Sequence, residues 1–187
     1  MDIKGCIIAG GRSGRFGTDK SVHLFNGKAL VQHVYDAVSP VLDEIFIAAN
    51  DPEKFDFLGL KVVPDIIPGL GPLGGIYTAL ETYNIKRVFV LPCDMPFLST
   101  ELIRFMCSID PDYDIIVPKL GDWYQPLHAI YSHRCGDAIR ESINCGNYRM
   151  KGFYSGMKLR TVTEEEVKRF GDPSLIFKNI NFRKDLE

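Results

Sequence analysis

The sequence predicts an α/β fold, a three-layer α/β/α arrangement with a mostly parallel, Rossmann-like sheet. Short apolar runs with strand character alternate with segments whose apolar residues recur at helical spacing. Loops rich in glycine and proline follow several of the apolar runs, at the positions where a parallel sheet presents its carboxyl ends. No internal repeat and no shift in composition marks a linker, so we predict one domain over residues 1–187.

The strands are predicted from apolar runs that end at glycine, proline or polar residues. Ile3–Ala9 is the first such run, and Arg87–Leu91 is the clearest because it is continuously apolar and stops at Pro92. The remaining predicted strands are Glu44–Ala49, Lys61–Val63, Tyr113–Val117, Leu127–Tyr131 and Lys158–Val162.

The helices are predicted from apolar spacing and from capping residues. Ser99 is a suitable N-cap for a helix with Leu102 and Met106 on one face, and Ser132 can cap a helix that runs to about Ile143. The other predicted helices are Lys28–Val38, Leu73–Tyr83 and Thr163–Arg169, and a final apolar stretch covers Leu175–Ile180.

Composition and charge exclude several classes of protein. With 22 basic and 24 acidic side chains the formal net charge is −2, which argues against a protein that coats nucleic acid. The 45% hydrophobic and 25% charged content is globular and rules out intrinsic disorder. No apolar stretch approaches the ~18 residues of a membrane span, and the N-terminal apolar run is too short for a signal peptide. We therefore expect neither a nucleic acid nor a membrane as partner.

The cysteines and histidines offer no metal or disulfide pattern. The five cysteines are scattered and form no CxxC pair, which favours a reducing, cytoplasmic setting. The four histidines have no metal-ligand spacing, so each is expected to be solvated or hydrogen-bonded.

A glycine-rich loop follows the first predicted strand. It contains four glycines between Gly10 and Gly17, together with Arg12, Arg15 and Lys20. Glycines let backbone N–H groups approach phosphate oxygens, and the basic side chains supply positive charge. The spacing matches neither Walker A nor GxGxxG. A phosphate-binding loop is the favoured interpretation, and a flexible loop with solvated basic residues is the alternative.

Two acidic residues follow later strands. Asp94 lies between Pro92 and Pro96 in a rigid loop after the clearest strand, where a carboxylate can ligate Mg²⁺. Asp65 opens a segment dense in glycine and proline, 64–75, and its carboxylate can accept hydrogen bonds from a guanine edge or a ribose hydroxyl. A purely structural turn is the alternative in both cases.

These motifs together resemble the MobA-like nucleotidyltransferases, and in particular the molybdenum cofactor guanylyltransferases. The first loop has their pattern, and the later motifs recur in the same order as in that superfamily. The matching segments are Ile8-Ala9-Gly10-Gly11-x-Ser13-x-Arg15-x-Gly17-x-Asp19-Lys20, Asn26–Leu30, Pro68–Gly75, Cys93–Pro96, Gln125–Tyr131 and Phe177–Asn181. One departure is His128, which stands where the family usually has an apolar or aromatic residue.

The resemblance implies a nucleotide-diphospho-sugar transferase type of fold, with a nucleotide half over roughly 1–110 and an acceptor half over roughly 111–187. It implies transfer of GMP from MgGTP to the terminal phosphate of molybdopterin or Mo-molybdopterin, with release of pyrophosphate. The resemblance also implies transient contact with a molybdenum-insertion protein or an apo-enzyme chaperone.

The resemblance also implies roles for individual residues. The backbone of Ile8, Ala9, Gly10 and Gly11 would line the guanosine pocket. Lys20 and Arg15 would hold the phosphates, Asn50 and Asp65 would contact the nucleoside, Asp94 would ligate Mg²⁺, and Asn179 and Asn181 would lie on the molybdopterin side.

Two other functions stay open at this stage. A related nucleotidyltransferase could use CTP or a sugar-phosphate acceptor, against which the paired asparagines argue. A non-catalytic nucleotide-binding or cofactor-handover protein could share the fold, against which Lys20 and Asp94 argue. Arg149 and Lys151 could meet an anionic acceptor, although solvated loop charges are the default, and Trp123 is expected to pack against a strand turn.

Overall fold

The apolar runs form the centre of a sheet in the computed structural model, which describes residues 2–9, 20–82 and 85–180. The strands are β1 (Ile3–Ile8), β2 (Leu24–Phe25), β3 (Lys28–Ala29), β4 (Ile45–Ala48), β5 (Lys61–Val63), β6 (Arg87–Pro92), β7 (Ile115–Leu120), β8 (Trp123–Tyr124), β9 (Ala129–Ser132) and β10 (Leu159–Val162). The helices are α1 (Leu30–Val38), α2 (Pro72–Glu81), α3 (Thr100–Ser108), α4 (Cys135–Asn144), α5 (Glu164–Lys168) and α6 (Pro173–Ile176).

Within the described residues, eight strands form one mixed sheet in the order β10-β7-β9-β6-β1-β4-β5, with β8 paired to β7. Strands β6, β1, β4 and β5 are mutually parallel, as are β7 and β10. Strand β9 is antiparallel to both of its neighbours, β6 and β7. The carboxyl ends of β1, β4, β5, β6 and β7 therefore lie along one edge of the sheet.

Helices cover both faces, which confirms the three-layer prediction. Side chains alternate along each strand, so that Ile7 packs with α1 and α3 while Cys6 and Ile8 pack with α2 and α4. Burying apolar side chains on both faces of the central strands explains why β1 and β6 read as continuous apolar runs.

Capping explains where several helices begin. The Ser99 side chain accepts a hydrogen bond from the Leu102 N–H at 3.3 Å, as its position predicts. Thr163 and Glu166 form a reciprocal capping box at the start of α5. The prediction that Ser132 caps a helix is wrong. Ser132 lies in β9, and its hydroxyl donates to Asp114 Oδ1 at 3.0 Å instead.

No helix in the described part of the chain combines the length and the apolar character needed to cross a membrane.

Candidate active site at the carboxyl edge of the sheet

The parallel strands bring the predicted site residues to one edge. Ile8 ends β1 and Ala9 follows it, and the Ala9 N–H donates to the Ala48 carbonyl at 3.0 Å. Asn50, Asp65 and Asp94 each follow the carboxyl end of a strand, β4, β5 and β6 respectively. Chain order reverses at β1, since β4 lies on one side of it and β6 on the other. Such a switch point is where ligands bind in open α/β sheets.

Four of the predicted site residues, Gly10, Gly11, Arg15 and Asn181, lie outside the described residues.

Lys20 and Asp94 meet at this edge although 74 residues separate them. The Lys20 ammonium donates to Asp94 Oδ2 at 2.6 Å, and the two side chains are 17% and 23% exposed. Lys20 opens a short 3-10 turn, Lys20–Val22, and Asp94 projects from the loop after β6. In a partly buried position this pair feels less solvent screening than a surface ion pair does. The arrangement holds one cation and one carboxylate where an anionic ligand and a metal ion can use them.

Asn50 and Asp65 hold each other by two hydrogen bonds. The Asn50 Nδ2 donates to Asp65 Oδ2 at 3.0 Å, and the Asp65 backbone N–H donates to Asn50 Oδ1 at 2.9 Å. This closed ring fixes the direction of the Asp65 carboxylate. A fixed carboxylate in a loop at the switch point can accept hydrogen bonds from a nucleoside.

Backbone contacts hold the glycine- and proline-rich segment 64–75, which leads into α2, near both of its ends. The Ile66 N–H donates to the buried Thr78 Oγ1 at 2.9 Å. Gly71, with a φ of 58°, precedes Pro72 at the first position of α2, so the segment turns into the helix through a conformation that favours glycine. A Cβ on Gly75 would lie 2.9 Å from Ile8 Cδ1. Glycine therefore lets α2 approach the end of β1 closely.

The C-terminal segment reaches the Asp94 loop. The Ile180 N–H donates to the Asp94 carbonyl at 2.9 Å, and the Ile180 side chain is fully buried. Asn179, the preceding residue, is exposed and is thereby held close to the loop that carries Asp94. No local sequence pattern signals this backbone bond, because its partners are distant in the chain.

His128 is buried beneath this edge. Its ring stands edge-on to Phe89 at 5.1 Å and to Phe177 at 5.2 Å between ring centroids. Neither ring nitrogen has a hydrogen-bond partner among the described residues, so the expectation of a solvated or hydrogen-bonded histidine is wrong here. Burial lowers the pKa of His128 to about 3. His128 is therefore neutral at physiological pH and acts as a packing aromatic, consistent with a position that the family usually fills with apolar or aromatic side chains.

The residues at this edge do not form a preformed metal cage. Within residues 2–9, 20–82 and 85–180, no three histidine, cysteine or acidic side chains come together. Mg²⁺ is commonly held by one or two carboxylates together with substrate phosphates and waters. Asp94 alone, with a phosphate ligand nearby, fits a divalent ion of that kind.

Lys119 and Tyr124, in the second half of the chain, form a pair that the sequence does not reveal. They stand opposite each other on β7 and β8. Trp123 is 75% exposed, so the expectation that it packs against a strand turn is wrong. Its neighbour Tyr124 packs inward instead.

A cavity of about 360 Å³ lies at the opposite, amino edge of the sheet, with Lys4, Tyr35 and Lys61 in its lining. It contains none of the predicted site residues. The strands separate it from the site.

Comparison with known proteins identifies the family and the fold. The MobA-like NTP transferase domain matches residues 5–162. A probable molybdenum cofactor guanylyltransferase of Pelotomaculum thermopropionicum is 38% identical over 100% of this chain and 91% of its own length. A second, from Natranaerobius thermophilus, is 34% identical over 100% of this chain and 94% of its own length.

Among solved structures, the molybdopterin-guanine dinucleotide biosynthesis protein A of Archaeoglobus fulgidus has the same fold. Its TM-score is 0.82 at 24% sequence identity, and the match covers 98% of this chain and 94% of that one. With the sheet, the switch point and these matches in agreement, the chain belongs to the MobA-like NTP transferase family, as a relative of the molybdenum cofactor guanylyltransferases.

Proposed function

We propose that this chain transfers GMP from GTP to the terminal phosphate of molybdopterin and releases pyrophosphate. The observation that carries the proposal is the pairing of Lys20 with Asp94 at the switch point of a sheet shared with the guanylyltransferase relatives. We expect no covalent enzyme intermediate, because positioning and electrostatic stabilisation of the phosphates are sufficient for this transfer. Direct attack of the acceptor phosphate on the α-phosphate of GTP is the simpler chemistry.

The main obstacle to this reaction is charge. Two anionic phosphates approach each other, and the leaving pyrophosphate gains negative charge as the bond to it breaks. Lys20 is placed to exchange its bond to Asp94 for bonds to phosphate oxygens and so to stabilise that charge. Arg15, which we assign to the same phosphates, would share that role.

Asp94 is the residue that we propose to hold Mg²⁺. The ion, when bound there, neutralises phosphate oxygens and orients them for in-line displacement. Asp94 also receives a constraint from the C-terminal segment, because its backbone carbonyl accepts the Ile180 N–H. The loop that carries the carboxylate is thus fixed from both sides.

We propose that Asp65, on the nucleoside side of the site, recognises guanine. Asn50 occupies Asp65 Oδ2, and no described residue donates to Asp65 Oδ1. A guanine edge presents two neighbouring N–H donors that a carboxylate can accept, whereas cytosine presents only one exocyclic amino group. The backbone of Ile8, Ala9, Gly10 and Gly11 completes the proposed pocket.

The acceptor side is proposed to include Asn179, which the Ile180–Asp94 bond holds near the Asp94 loop, and Asn181. This assignment divides the domain into a nucleotide half over roughly 1–110 and an acceptor half over roughly 111–187. We propose the cytoplasm as the setting, with molybdopterin or Mo-molybdopterin delivered either free or by a molybdenum-insertion or chaperone protein.

The first test is thermal unfolding with Mg²⁺ and each of GTP, CTP, ATP and UTP. A nucleotide at 100 times its Kd adds ~2.7 kcal/mol, which raises the midpoint by roughly 5–10 °C for a domain of this size. We expect this shift with GTP alone, followed by Mg²⁺-dependent pyrophosphate release when molybdopterin is added. A shift confined to CTP would move the assignment to a cytidylyl transferase. Binding of GTP without pyrophosphate release would indicate a handover protein.

A further inference from the structure

Two lysine side chains share one aromatic ring in the acceptor half. The Lys119 Nζ lies 5.6 Å from the centroid of the Tyr124 ring, and the Lys151 Nζ lies 5.0 Å from it. Lys119 faces Tyr124 across the β7–β8 pair, and Lys151 comes from the turns that follow α4. We refer to Lys119, Tyr124 and Lys151 as the Tyr124 cluster.

The strand register places this cluster at the same edge as the Asp94 loop. Ala129 of β9 pairs with Val90 of β6, and Ile130 pairs with Ile116 of β7. Continued by three residues toward the carboxyl end, the β7 register brings Lys119 level with Pro92. Two strand spacings separate them, or roughly 10 Å along the edge. The cluster is therefore within reach of a single ligand whose other end lies at Asp94.

The two ammonium groups lack effective counter-ions. In the described part of the chain, Lys151 has no carboxylate within the 4.0 Å of an ion pair, and Lys119 has only Asp122 Oδ1 at 3.9 Å. The Asp122 side chain is fully exposed, so that contact contributes little. Cation–π attraction to Tyr124 holds each ammonium but does not cancel its charge. Two like charges kept together in this way favour an anionic ligand.

The ring that holds the lysines is itself anchored. Tyr124 packs edge-on against Tyr154 at 5.9 Å between centroids, and the Tyr154 hydroxyl lies 3.1 Å from the buried Tyr131 hydroxyl. Tyr131 in turn donates to the Pro126 carbonyl at 2.7 Å. The position of Tyr124 is thus set by packing and hydrogen bonds before any ligand arrives, which limits the ordering that binding requires.

We infer that the Tyr124 cluster binds the anionic dithiolene of the acceptor, the part of the pterin next to its phosphate arm. Lys119 and Lys151 bind the anionic sulfur atoms, or the oxo groups of a metal on them, and Tyr124 is a positioning residue for both ammoniums. The inference rests on the proposed function, because it takes molybdopterin as the acceptor. It adds the residues that distinguish this acceptor from a phosphate ester without a second anionic end.

Steady-state kinetics test the assignment. Lys151→Ala should raise the KM for molybdopterin about tenfold, the loss expected for one charged contact, while kcat and the KM for GTP stay within about twofold. Lys151→Arg should restore most of the acceptor affinity. Tyr124→Leu should raise the same KM, and Tyr124→Phe, which keeps a ring beneath the ammoniums, should restore it.

Lys86→Ala is the matched control. It also removes one positive charge, but Lys86 pairs with Asp2 at an exposed position near the start of β6, at the opposite edge. This variant should leave both KM values unchanged. An unchanged acceptor KM in Lys151→Ala and Lys119→Ala would overturn the assignment. Because Lys151 is exposed, a raised acceptor KM in Lys151→Ala would not be explained by misfolding.

Trp123 provides a binding measurement that does not need turnover. It is the only tryptophan in the sequence, is largely exposed, and precedes Tyr124 directly. Molybdopterin, which absorbs in the near ultraviolet, should quench the Trp123 fluorescence without GTP present. The Lys119→Ala/Lys151→Ala double variant should need a higher molybdopterin concentration for the same quenching. Quenching without any nucleotidyl transfer would refute the proposed function but support the cluster. Nucleotidyl transfer without quenching of Trp123, together with an unchanged acceptor KM in the lysine variants, would refute the ligand assigned to the Tyr124 cluster and leave the proposed function standing.

Discussion

The two parts of the carboxyl edge treat charge in opposite ways. Near β1 and β6, Lys20 is paired with Asp94, and Asn50 is paired with Asp65. Near β7 and β8, Lys119 and Lys151 share a ring instead of carboxylates. Paired groups are set in direction before a ligand arrives but must exchange partners to bind it. Lys151 would gain a partner on binding an anion, and Lys119 would give up only its contact with the exposed Asp122. In the proposed assignment the acceptor side is therefore suited to capture and the nucleotide side to orientation.

The strongest test of this comparison removes the paired charges. Lys20→Ala and Asp94→Ala should each reduce turnover by about 100-fold or more, the effect of losing one preorganised charge contact. Single-turnover rates with saturating GTP and acceptor measure this directly. Urea unfolding should show that both variants remain folded, since the pair lies at the rim of the core. Near-normal rates in both variants would refute the assignment of the site.

The packing of His128, which lies between the two parts of the edge, can be tested by measuring stability as a function of pH. His128 has a folded-state pKa of about 3, below its ordinary 6.5, so the unfolded chain binds the additional proton between these values. Stability is therefore full above pH 6.5 and falls as the pH is lowered towards 3. At pH 5 the free energy of unfolding is therefore lower than at pH 7.5 by about 2 kcal/mol.

His128→Phe should remove that loss, because phenylalanine has no proton to bind and fits between Phe89 and Phe177. Urea midpoints of the wild type and the variant at pH 5 and 7.5 measure the difference. His133→Phe, at an exposed position, should retain the pH dependence of the wild type. Identical pH profiles for wild type and His128→Phe would show that His128 is not buried as a neutral ring.

The smallest effects are expected on the nucleoside side. Asp65→Ala should weaken GTP binding about tenfold and narrow the preference for GTP over CTP, since a charged hydrogen-bond acceptor is lost. Asn50→Ala leaves the Asp65 carboxylate in place but removes both hydrogen bonds between the two residues, one to the carboxylate and one from the Asp65 backbone N–H. We therefore expect GTP binding to weaken by only about threefold. Thermal shifts with both nucleotides report these changes. Equal binding of GTP by Asp65→Ala and the wild type would exclude Asp65 from guanine recognition.

Local pattern predicted the architecture well. The continuous apolar runs correctly predicted β1 and β6, and the capping residue Ser99 correctly predicted the start of α3. The antiparallel insertion of β9 between β6 and β7 could not be predicted, because the partner of a strand is not encoded in its own alternation.

The placement of candidate site residues at one edge was predictable where those residues follow strands. Asp94 and Asp65 stand after β6 and β5, and their common edge follows from parallel pairing. The predictions for His128 and Ser132 were wrong because contacts with residues distant in the chain determine their surroundings. The surroundings of His128 come from Phe89 and Phe177, and the hydroxyl of Ser132 is engaged by Asp114 rather than by a helix terminus. The Tyr124 cluster likewise needs a hairpin and a distant turn to meet.

The bond between Ile180 and Asp94 has a consequence for biogenesis. Synthesis proceeds from the amino terminus, so the loop that carries Asp94 emerges from the ribosome well before the residue that completes its backbone hydrogen bonding. A nascent chain that has already formed β1 and β6 still lacks the hydrogen bond from Ile180 to this loop. Competence for the chemistry proposed at Asp94 is therefore complete only after Ile180 has emerged, and a chain interrupted between β10 and Ile180 would keep its sheet strands while leaving that loop without this hydrogen bond.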